Sequence, residues 1–500
     1  MLKDLKQTTK HTSIYALGNI ATKLIGIVLV PLYTNVDYLS HDEYGALAVL
    51  EATSQLLIGL LTMAMLQSLT RWYWDKKHEG QQNGIFFTTL AFLLMVLTPV
   101  VCLITALSDE LSVLTLGTTD FSYLFKLVSI SAAITIINNQ ILCLAKLKSK
   151  SVLYASVQIT KLTFTLLLII WGIVKQGKGL DAIWEATLIG ECFALLLLAS
   201  FAIKNIQFKF HYQVLKEMLT YGLPLMLAAL SSVILATADR YMLSSMSSLE
   251  NTGVYSLGYR IANTLKVVVT ASLTLAISPL NMKKMNEPNN QRFYSKINTY
   301  TSFLFMLALI GLSLFSLEII KVFTGSKIYW DANLIVPLIS YALFFGLMKD
   351  NMLIGLQIKK KTKIIGTLIF ITSLLNIGLN LLLIPVWDIY GAALATLVSQ
   401  IAFFSLITYY SQKAYSIPYE WRKVVVMVLV SFVIIFVGNY TTEINVVIRL
   451  LIKGALFCSF PFILYVFKFY DDVELENIKM IFQNWKDPRR FRENIKRLIA

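Results

Sequence analysis

Residues 84–106 read GIFFTTLAFLLMVLTPVVCLITA, a run without a single charged side chain. As a helix rising 1.5 Å per residue it would be about 34 Å long, enough to cross a hydrocarbon core of roughly 30 Å. A strand of a membrane barrel would instead show about 10 residues of alternating polarity. The run therefore predicts a membrane-spanning helix. It decides the fold class because comparable runs recur from one end of the chain to the other.

Fourteen such runs are found, and they predict an all-α polytopic membrane protein. The chain is 56% hydrophobic and only 15% charged, as expected when most residues face lipid or other helices. We number the predicted spans 1 to 14 in chain order: 13–35, 44–67, 84–106, 121–143, 152–174, 182–203, 217–238, 252–280, 297–319, 333–355, 364–386, 391–410, 424–438 and 446–467.

The distribution of Lys and Arg in the connections tests this count independently. If the N-terminus lies inside, the N-terminal segment, the inside loops and the tail together carry 31 basic residues, and the outside loops carry 5. Basic residues are retained on the cytoplasmic side of a membrane, and one missed span would reverse the alternation from that point onward. We therefore predict an even number of spans and cytoplasmic N- and C-termini.

A weak internal repeat divides the spans into two lobes. The segment 185–191 (EATLIGE) aligns with 394–400 (LATLVSQ), and the segment 39–45 corresponds to 246–253. Equivalent positions are six spans apart, so both lobes should have the same orientation about an axis along the membrane normal. We predict an N-lobe at 1–212 (spans 1–6), a C-lobe at 213–412 (spans 7–12), two additional helices at 413–468, and a tail at 469–500.

Composition also indicates which functions to set aside. The net charge of +15 is explained by the basic inside loops, so nucleic acid is not an expected partner. The four cysteines lie within apolar runs, and the four histidines lie in or beside connections. No Walker loop or glycine-rich nucleotide fingerprint is present in the sequence. We expect a transport protein without catalytic residues, metal ligands or a bound cofactor.

Basic side chains inside the spans call for an explanation, because a charge in the bilayer costs a few kcal/mol unless it faces a bundle interior or a water-filled cavity. Lys126, Arg449 and Lys453 lie near enough to span ends to extend to the interface. Five others are assigned to a central cationic cavity that would bind an anionic substrate: Lys23, Lys161, Arg260, Lys266 and Lys349.

Polar residues at helical spacing suggest the walls of that cavity and the groups that could couple transport to an ion. These candidates are Asn19, Glu51, Gln55, Glu191, Asn263, Asn376 and Asn380. The alternative is that such residues hold the bundle together through interhelical contacts, with Glu51 paired to Lys23 or Arg260. Lys349 could likewise pair with its neighbour Asp350. Both interpretations remain open at this point.

The tail differs from the rest of the chain. Apolar residues from Leu475 to Trp485 recur at helical spacing, and after Pro488 they alternate with Arg and Lys. A basic amphipathic stretch of this kind binds anionic lipid surfaces. A partner-binding helix is the alternative.

Several short segments resemble the Wzx-type polysaccharide flippases of the multidrug/oligosaccharidyl-lipid/polysaccharide superfamily. They are Leu39-Ser40 through Glu43-Tyr44-Gly45, Tyr221-Gly222-Leu223-Pro224, Asp239-Arg240-Tyr241-Met242-Leu243, Gly253-Val254-Tyr255-Ser256 and the 391–396 stretch. The resemblance covers residues 10–470. It implies a fourteen-helix fold with two lobes, like that of the multidrug and toxin extrusion (MATE) transporters, alternating access and a bacterial inner-membrane location.

The same resemblance implies the cargo. This would be an oligosaccharide linked to undecaprenyl pyrophosphate, moved from the cytoplasmic to the outer leaflet for O-antigen, capsule or exopolysaccharide synthesis. A polysaccharide polymerase and glycosyltransferases are the implied protein partners, and a proton or sodium gradient could drive the step. Alternatives are a MATE-type drug or cation antiporter, a peptidoglycan-precursor flippase and, in a different class, a membrane-embedded sugar polymerase or ligase.

Overall fold

In the computed structural model the described residues are 26, 28–285, 287–441 and 444–476, and within them the chain forms helices and no β-strand. We number the membrane helices as the predicted spans. Their bounds are α1 Val30–Tyr33, α2 His41–Leu61 continued by Met65–Tyr73, α3 Gln82–Ala106, α4 Ser122–Leu147, α5 Ser151–Val174, α6 Gly179–Lys204, α7 Tyr212–Met246, α8 Leu249–Leu265 continued by Lys266–Thr270 and Ala271–Lys284, α9 Asn290–Leu314, α10 Ala332–Ile358, α11 and α12 within Thr362–Ala414, α13 Trp421–Asn439 and α14 Val446–Val466.

The predicted fold class is confirmed. Eleven helices in the described part are long and apolar enough to cross a membrane. The helix that holds α11 and α12 counts once among them, although Asp388 breaks it with φ 50° and ψ −126°. α8 is divided into segments of 17, 5 and 14 residues, each shorter than a membrane span, and α1 is described only at its end. With these helices included, the fourteen predicted spans are accounted for.

The chain divides into two compact units. The first comprises residues 1–287 and 316–416 and thus contains α1 to α8 and α10 to α12. Within it α8 packs against α2 and α10, while α7 packs against α2 and the α11–α12 helix. The second unit, 288–315 with 417–500, contains α9, α13 and α14, which pack on one another. The lobe boundaries at 212/213 and 412/413 stay predictions.

Two repeat-related segments begin α2 and α8 in the same way. Ser40 Oγ accepts a hydrogen bond from the Glu43 amide, and the Glu43 carboxylate accepts one from the Ser40 amide, which forms a capping box. Ser248 caps α8 through the amide of Asn251. Both helices therefore start at an N-capping serine, and these serines lie in the two segments, 39–45 and 246–253, that correspond in the repeat.

The capped ends of α2 and α8 lie in direct backbone contact. A Cβ added at Gly45 would stand 1.8 Å from the carbonyl oxygen of Leu249. One added at Gly253 would meet the amide nitrogen of Gly45 at 3.3 Å. At Gly45 only glycine permits this approach, so α2 and α8 are in close contact at the predicted outer end of the first unit.

Two cations of α14 occupy an unexpected position. Arg449 is 4% exposed and Lys453 is 1% exposed, on the same helix face as the buried residues Phe460 and Leu464. The expectation that these two side chains reach the membrane interface is therefore wrong. Because they are four residues apart, both side chains lie on the same face of α14, and this face packs against protein. Their position near the end of the predicted span therefore did not indicate their environment.

Candidate functional site

Arg260 of α8 and Glu51 of α2 form an ion pair between helices of the two predicted lobes. Arg260 Nη2 donates to Glu51 Oε1 at 2.8 Å and to Oε2 at 2.7 Å, and Nη1 donates to the carbonyl oxygen of Gly26 at 3.2 Å. The Arg260 side chain is 16% exposed and that of Glu51 is 40% exposed. The sequence left open whether Glu51 lines the cavity or pairs with a cation of another helix. In the structure it pairs with Arg260.

A second cluster lies among α4, α5 and α6. Lys161 Nζ donates to Glu191 Oε1 at 2.9 Å, and Asn138 Nδ2 donates to Glu191 Oε2 at 2.8 Å. Glu191 is buried, and each of its carboxylate oxygens accepts a hydrogen bond from one of these two side chains. A buried carboxylate needs such partners to replace the water it has lost. Lys161 and Glu191, assigned separately from the sequence, thus form one network in the N-lobe.

The cations Lys266 and Lys349 line one cavity of about 340 Å³ among α7, α8, α10, α11 and α12. Lys349 pairs with Asp350 at 2.9 Å, as one interpretation of the sequence suggested, and its ammonium lies 4.8 Å from the Phe403 ring centre. Lys266 begins the π-helical segment 266–270, and such segments occur frequently at functional sites. The remaining polar lining includes Ser232, Tyr259, Thr270, Thr396 and Gln400.

A buried polar cluster next to this cavity escaped the sequence analysis. Tyr255 donates a short hydrogen bond to Asp239 and lies 3.5 Å from Thr396 Oγ1, an atom of a cavity-lining residue. The Arg240 guanidinium lies 4.8 Å from the ring centre of Tyr259. Span 7 was predicted to end at residue 238, whereas α7 continues to Met246. Asp239 and Arg240 were therefore assigned near or beyond the end of a helix that contains them.

The other predicted site residues lie in varied surroundings. Asn376 and Asn380 are buried, and Asn380 Nδ2 donates to the carbonyl oxygen and side chain of Asn376 at 3.0 and 3.2 Å. Gln55 is exposed and Asn263 is half-buried. Asn19, Lys23 and the tail beyond residue 476 lie outside the described residues.

The second unit carries a charge cluster at the predicted inner ends of its membrane helices. Lys296 binds Glu420 Oε1 at 2.8 Å and Asp471 Oδ2 at 2.5 Å, and Lys423 binds Asp471 Oδ1 at 2.7 Å. Hydrogen bonds from Lys296 and Lys423 lower the pKa of Asp471. For Glu420, burial raises the pKa, but the bonds from Lys296 and Thr299 outweigh it and the net direction is downward.

Together these positions describe a membrane protein with separate clusters of charge in its helix bundle. Arginine and lysine are the side chains that bind phosphate groups, through fork-shaped hydrogen bonds and as a point charge respectively. Among the cations assigned to the cavity, Lys161, Arg260 and Lys349 each have a carboxylate partner within 3 Å. An anionic ligand at these positions would have to compete with those carboxylates.

Solved structures with the same fold are transporters. The chain is similar to the lipid II flippase MurJ in an inward closed conformation, with a TM-score of 0.73, 17% identity and coverage of 91% of this chain and 99% of that one. It is also similar to an inward-facing multidrug resistance MATE family transporter of the MOP superfamily (TM-score 0.65, 14% identity, 80% and 94% covered). A third is the MATE multidrug transporter DinF-BH (0.62, 15%, 82% and 96%).

Sequence comparison supplies the family. No curated protein sequence matches the chain. A family model described as polysaccharide biosynthesis protein matches residues 8–285, which is more than half of the chain. The recognition of the superfamily from short segments is thereby confirmed, and the chain belongs to the polysaccharide biosynthesis protein family.

Proposed function

We propose that the protein is a flippase that moves a polyprenyl-pyrophosphate-linked oligosaccharide from the cytoplasmic to the outer leaflet by alternating access. The cargo would serve the synthesis of a surface polysaccharide such as O-antigen, capsule or exopolysaccharide. Membership of the polysaccharide biosynthesis family and the fold shared with a lipid II flippase both support this class of cargo.

The observation that carries the proposal is the pairing of Arg260 with Glu51. An arginine in a membrane helix is costly, and this one is held between helices that belong to different lobes. Its partner is 40% exposed and can be displaced from the pair. A diphosphate presents more oxygen acceptors than a carboxylate does, so it would compete for the same guanidinium. Cargo binding would then release α2 from α8 and favour the opening of the outer end.

A second candidate is a peptidoglycan-precursor flippase, because the solved lipid II flippase has the same fold over nearly its full length. Lipid II also carries a sugar on a polyprenyl diphosphate, so the cationic positions suit both cargoes. The two candidates differ in the phenotype of a deletion. Loss of surface glycan indicates the first, and loss of viability with intact glycan indicates the second.

Several features of this proposal come from the sequence. The inner-membrane location and cytoplasmic termini rest on the loop charges and on the family resemblance. A polysaccharide polymerase and glycosyltransferases are the proposed protein partners, and anionic lipid is the proposed partner of the basic tail. Proton or sodium coupling is proposed without a choice between the two ions, with Glu191 as a buried carboxylate available for it.

The test is deletion of the gene followed by extraction of membrane lipids. We expect a polyprenyl-linked oligosaccharide to accumulate inside the cell while the surface glycan disappears, and the wild-type gene to restore both. Unchanged glycan combined with altered drug sensitivity would instead support a MATE-type antiporter.

A further inference from the structure

A second cavity of about 840 Å³ runs between α7 and α11, and its lining is largely apolar. On α11 the lining extends from Thr362 to Ile377, roughly 22 Å at 1.5 Å per residue. On α7 it extends from Pro224 to Ile234. The α11 positions lie mostly in the predicted inner half of that helix, whereas the α7 positions lie around the middle of α7. We call this cavity the α7–α11 groove.

The groove adjoins the polar cavity that contains Lys266 and Lys349. Ile369 lines both spaces. On α7, Ser231 faces the groove, whereas its neighbour Ser232 faces the polar cavity. The wall between the two spaces is therefore about one residue thick. Ile369 is seven residues from the start of α11, so the contact lies roughly 10 Å from the predicted inner end.

The charges of the two spaces suit an amphiphilic anion. Lys363 lines the groove near its predicted inner end, and Lys266 and Lys349 line the polar cavity. Asp350, the partner of Lys349, also lines this cavity, so a phosphate would have to displace its carboxylate from the lysine. A volume of about 340 Å³ lies within the usual range of small-ligand sites, roughly 300–1,000 Å³, and suits a phosphate head group better than an oligosaccharide. The elongated apolar groove suits a hydrocarbon chain.

We propose that the α7–α11 groove and the adjoining polar cavity form a loading site for a prenyl diphosphate, with the chain in the groove and the phosphates near Lys266 and Lys349. This rests on the proposed flippase function. Lys266 and Arg260 are six residues apart on α8, roughly 9 Å along the helix, and Arg260 is the nearer of the two to the predicted outer end. The head group would bind at the loading site first and reach Arg260 afterwards.

The groove can be blocked by one substitution that has a matched control on the same helix. A Cβ added at Gly366 would lie 3.8 Å from Ala228 Cβ, an ordinary contact, so alanine fits there, whereas leucine would fill the groove. Gly378 has no atom within 4 Å of an added Cβ and does not line the groove. Gly366→Ala, Gly366→Leu and Gly378→Leu therefore separate blocking of the groove from a general effect on α11.

The experiment measures binding of radiolabelled farnesyl diphosphate to the full-length protein in detergent. Gly366→Leu and the double variant Lys266→Met/Lys349→Met should each weaken binding at least 10-fold. Gly366→Ala, Gly378→Leu and the control Lys126→Met should change binding less than 2-fold. Thermal melting verifies that each variant is folded; if Gly366→Leu is unfolded, Gly366→Val is measured in its place.

Competitors identify the ligand. Farnesol and inorganic diphosphate should each compete at least 10-fold more weakly than farnesyl diphosphate, because each offers only half of the contacts. Equal competition by phosphatidylglycerol would mean that the groove holds ordinary membrane lipid, and equal competition by inorganic diphosphate would mean that the groove is not used. Either result overturns the proposal.

Two outcomes separate this inference from the proposed function. Undisturbed export in the gene deletion would contradict the proposed function, whereas binding that is insensitive to both Gly366→Leu and the double lysine variant would contradict the loading site.

Discussion

One nitrogen of Arg260, Nη2, donates to both carboxylate oxygens of Glu51, at 2.8 and 2.7 Å. The second terminal nitrogen, Nη1, donates to the backbone carbonyl oxygen of Gly26, which precedes α1 within predicted span 1. One guanidinium thus links two helices of different predicted lobes to a third segment of the chain. This relationship leads to the first prediction.

We expect Arg260→Ala to lower surface-glycan export more than 10-fold and Arg260→Lys to give an intermediate loss, because lysine supplies charge without the planar fork. Glu51→Gln should weaken the link between the predicted lobes and reduce the free energy of unfolding by about 1.5–3 kcal/mol, the usual range for a hydrogen bond to a charged group. Export is measured by glycan immunoblot and stability by melting in detergent. Normal export by correctly inserted Arg260→Ala protein would rule out a role of this arginine in cargo binding.

The network of Lys161, Glu191 and Asn138 should behave as a structural unit of the N-lobe. Lys161→Met leaves the buried Glu191 carboxylate without its cation, and breaking such a pair costs about 3–5 kcal/mol. The double variant Lys161→Met/Glu191→Leu should be more stable than either single variant, because no unpaired charge remains. Melting temperatures are compared for the wild type, the two single variants and the double variant. They show how far the effect of one substitution depends on the other.

Export by the same double variant then assigns a role to Lys161. If export recovers together with stability, the lysine supports the fold. If stability recovers but export does not, the network acts in transport, as the sequence analysis proposed. Additive effects of the two single substitutions on stability would contradict the pairing itself.

Gly45→Ala should prevent the close contact of α2 with α8, because the new Cβ would overlap the carbonyl oxygen of Leu249. A cysteine is placed at position 55 (Gln55→Cys) in protein without native cysteines. We expect it to react with a membrane-impermeant thiol reagent, added from outside, at least 5-fold faster when Gly45→Ala is present than when Gly45 is kept. Gly454→Ala is the control, since its Cβ would meet no atom within 4 Å. Equal rates in both variants would show that the outer end is not closed at Gly45.

The charge cluster around Asp471 makes a prediction about acid stability. The pKa of Asp471 and that of Glu420 are lowered in the folded protein, so their stabilising contribution is complete above the ordinary carboxyl pKa of about 4. It is lost as the pH falls below 4 through the lower folded values. The melting temperature should therefore be insensitive to this cluster's titration between pH 7 and 5.

Lys296→Gln provides the comparison for the acid series. It should melt below the wild type at pH 6, and the difference should shrink as the pH falls from 4.5 to 3, because the protonated carboxyl groups no longer gain from the lysine. A difference that stays constant to pH 3 would mean that these carboxylates do not contribute through their charge.

The sequence predicted the helices well because the bilayer imposes one strong rule, that about 20 consecutive residues must be apolar and the basic loops must stay inside. This rule locates spans without any knowledge of tertiary contacts. It is less accurate where a helix carries polar residues: α7 runs past Asp239 and Arg240, and α8 is longer than predicted and contains a π-helical segment.

The partners of the charged residues were harder to predict. Periodicity shows which residues share a face of one helix, but the rotation of that helix against its neighbours depends on packing. Asn376 and Asn380 were assigned to a cleft wall, and the structure places them in the buried part of the chain, bonded to each other. Glu191 and Asn138 are 53 positions apart, and nothing in a single sequence identifies them as neighbours.

The backbone contact at Gly45 has a consequence for the energy stored across the membrane. Moving one elementary charge through a potential of 100 mV releases about 2.3 kcal/mol, so any continuous file of water through the protein would dissipate the cell's electrochemical gradient. Where peptide groups touch with no room even for a methyl group, there is no space for such a file. Ion leakage at that point would be blocked by main-chain atoms, whose positions do not vary with side-chain rotamer.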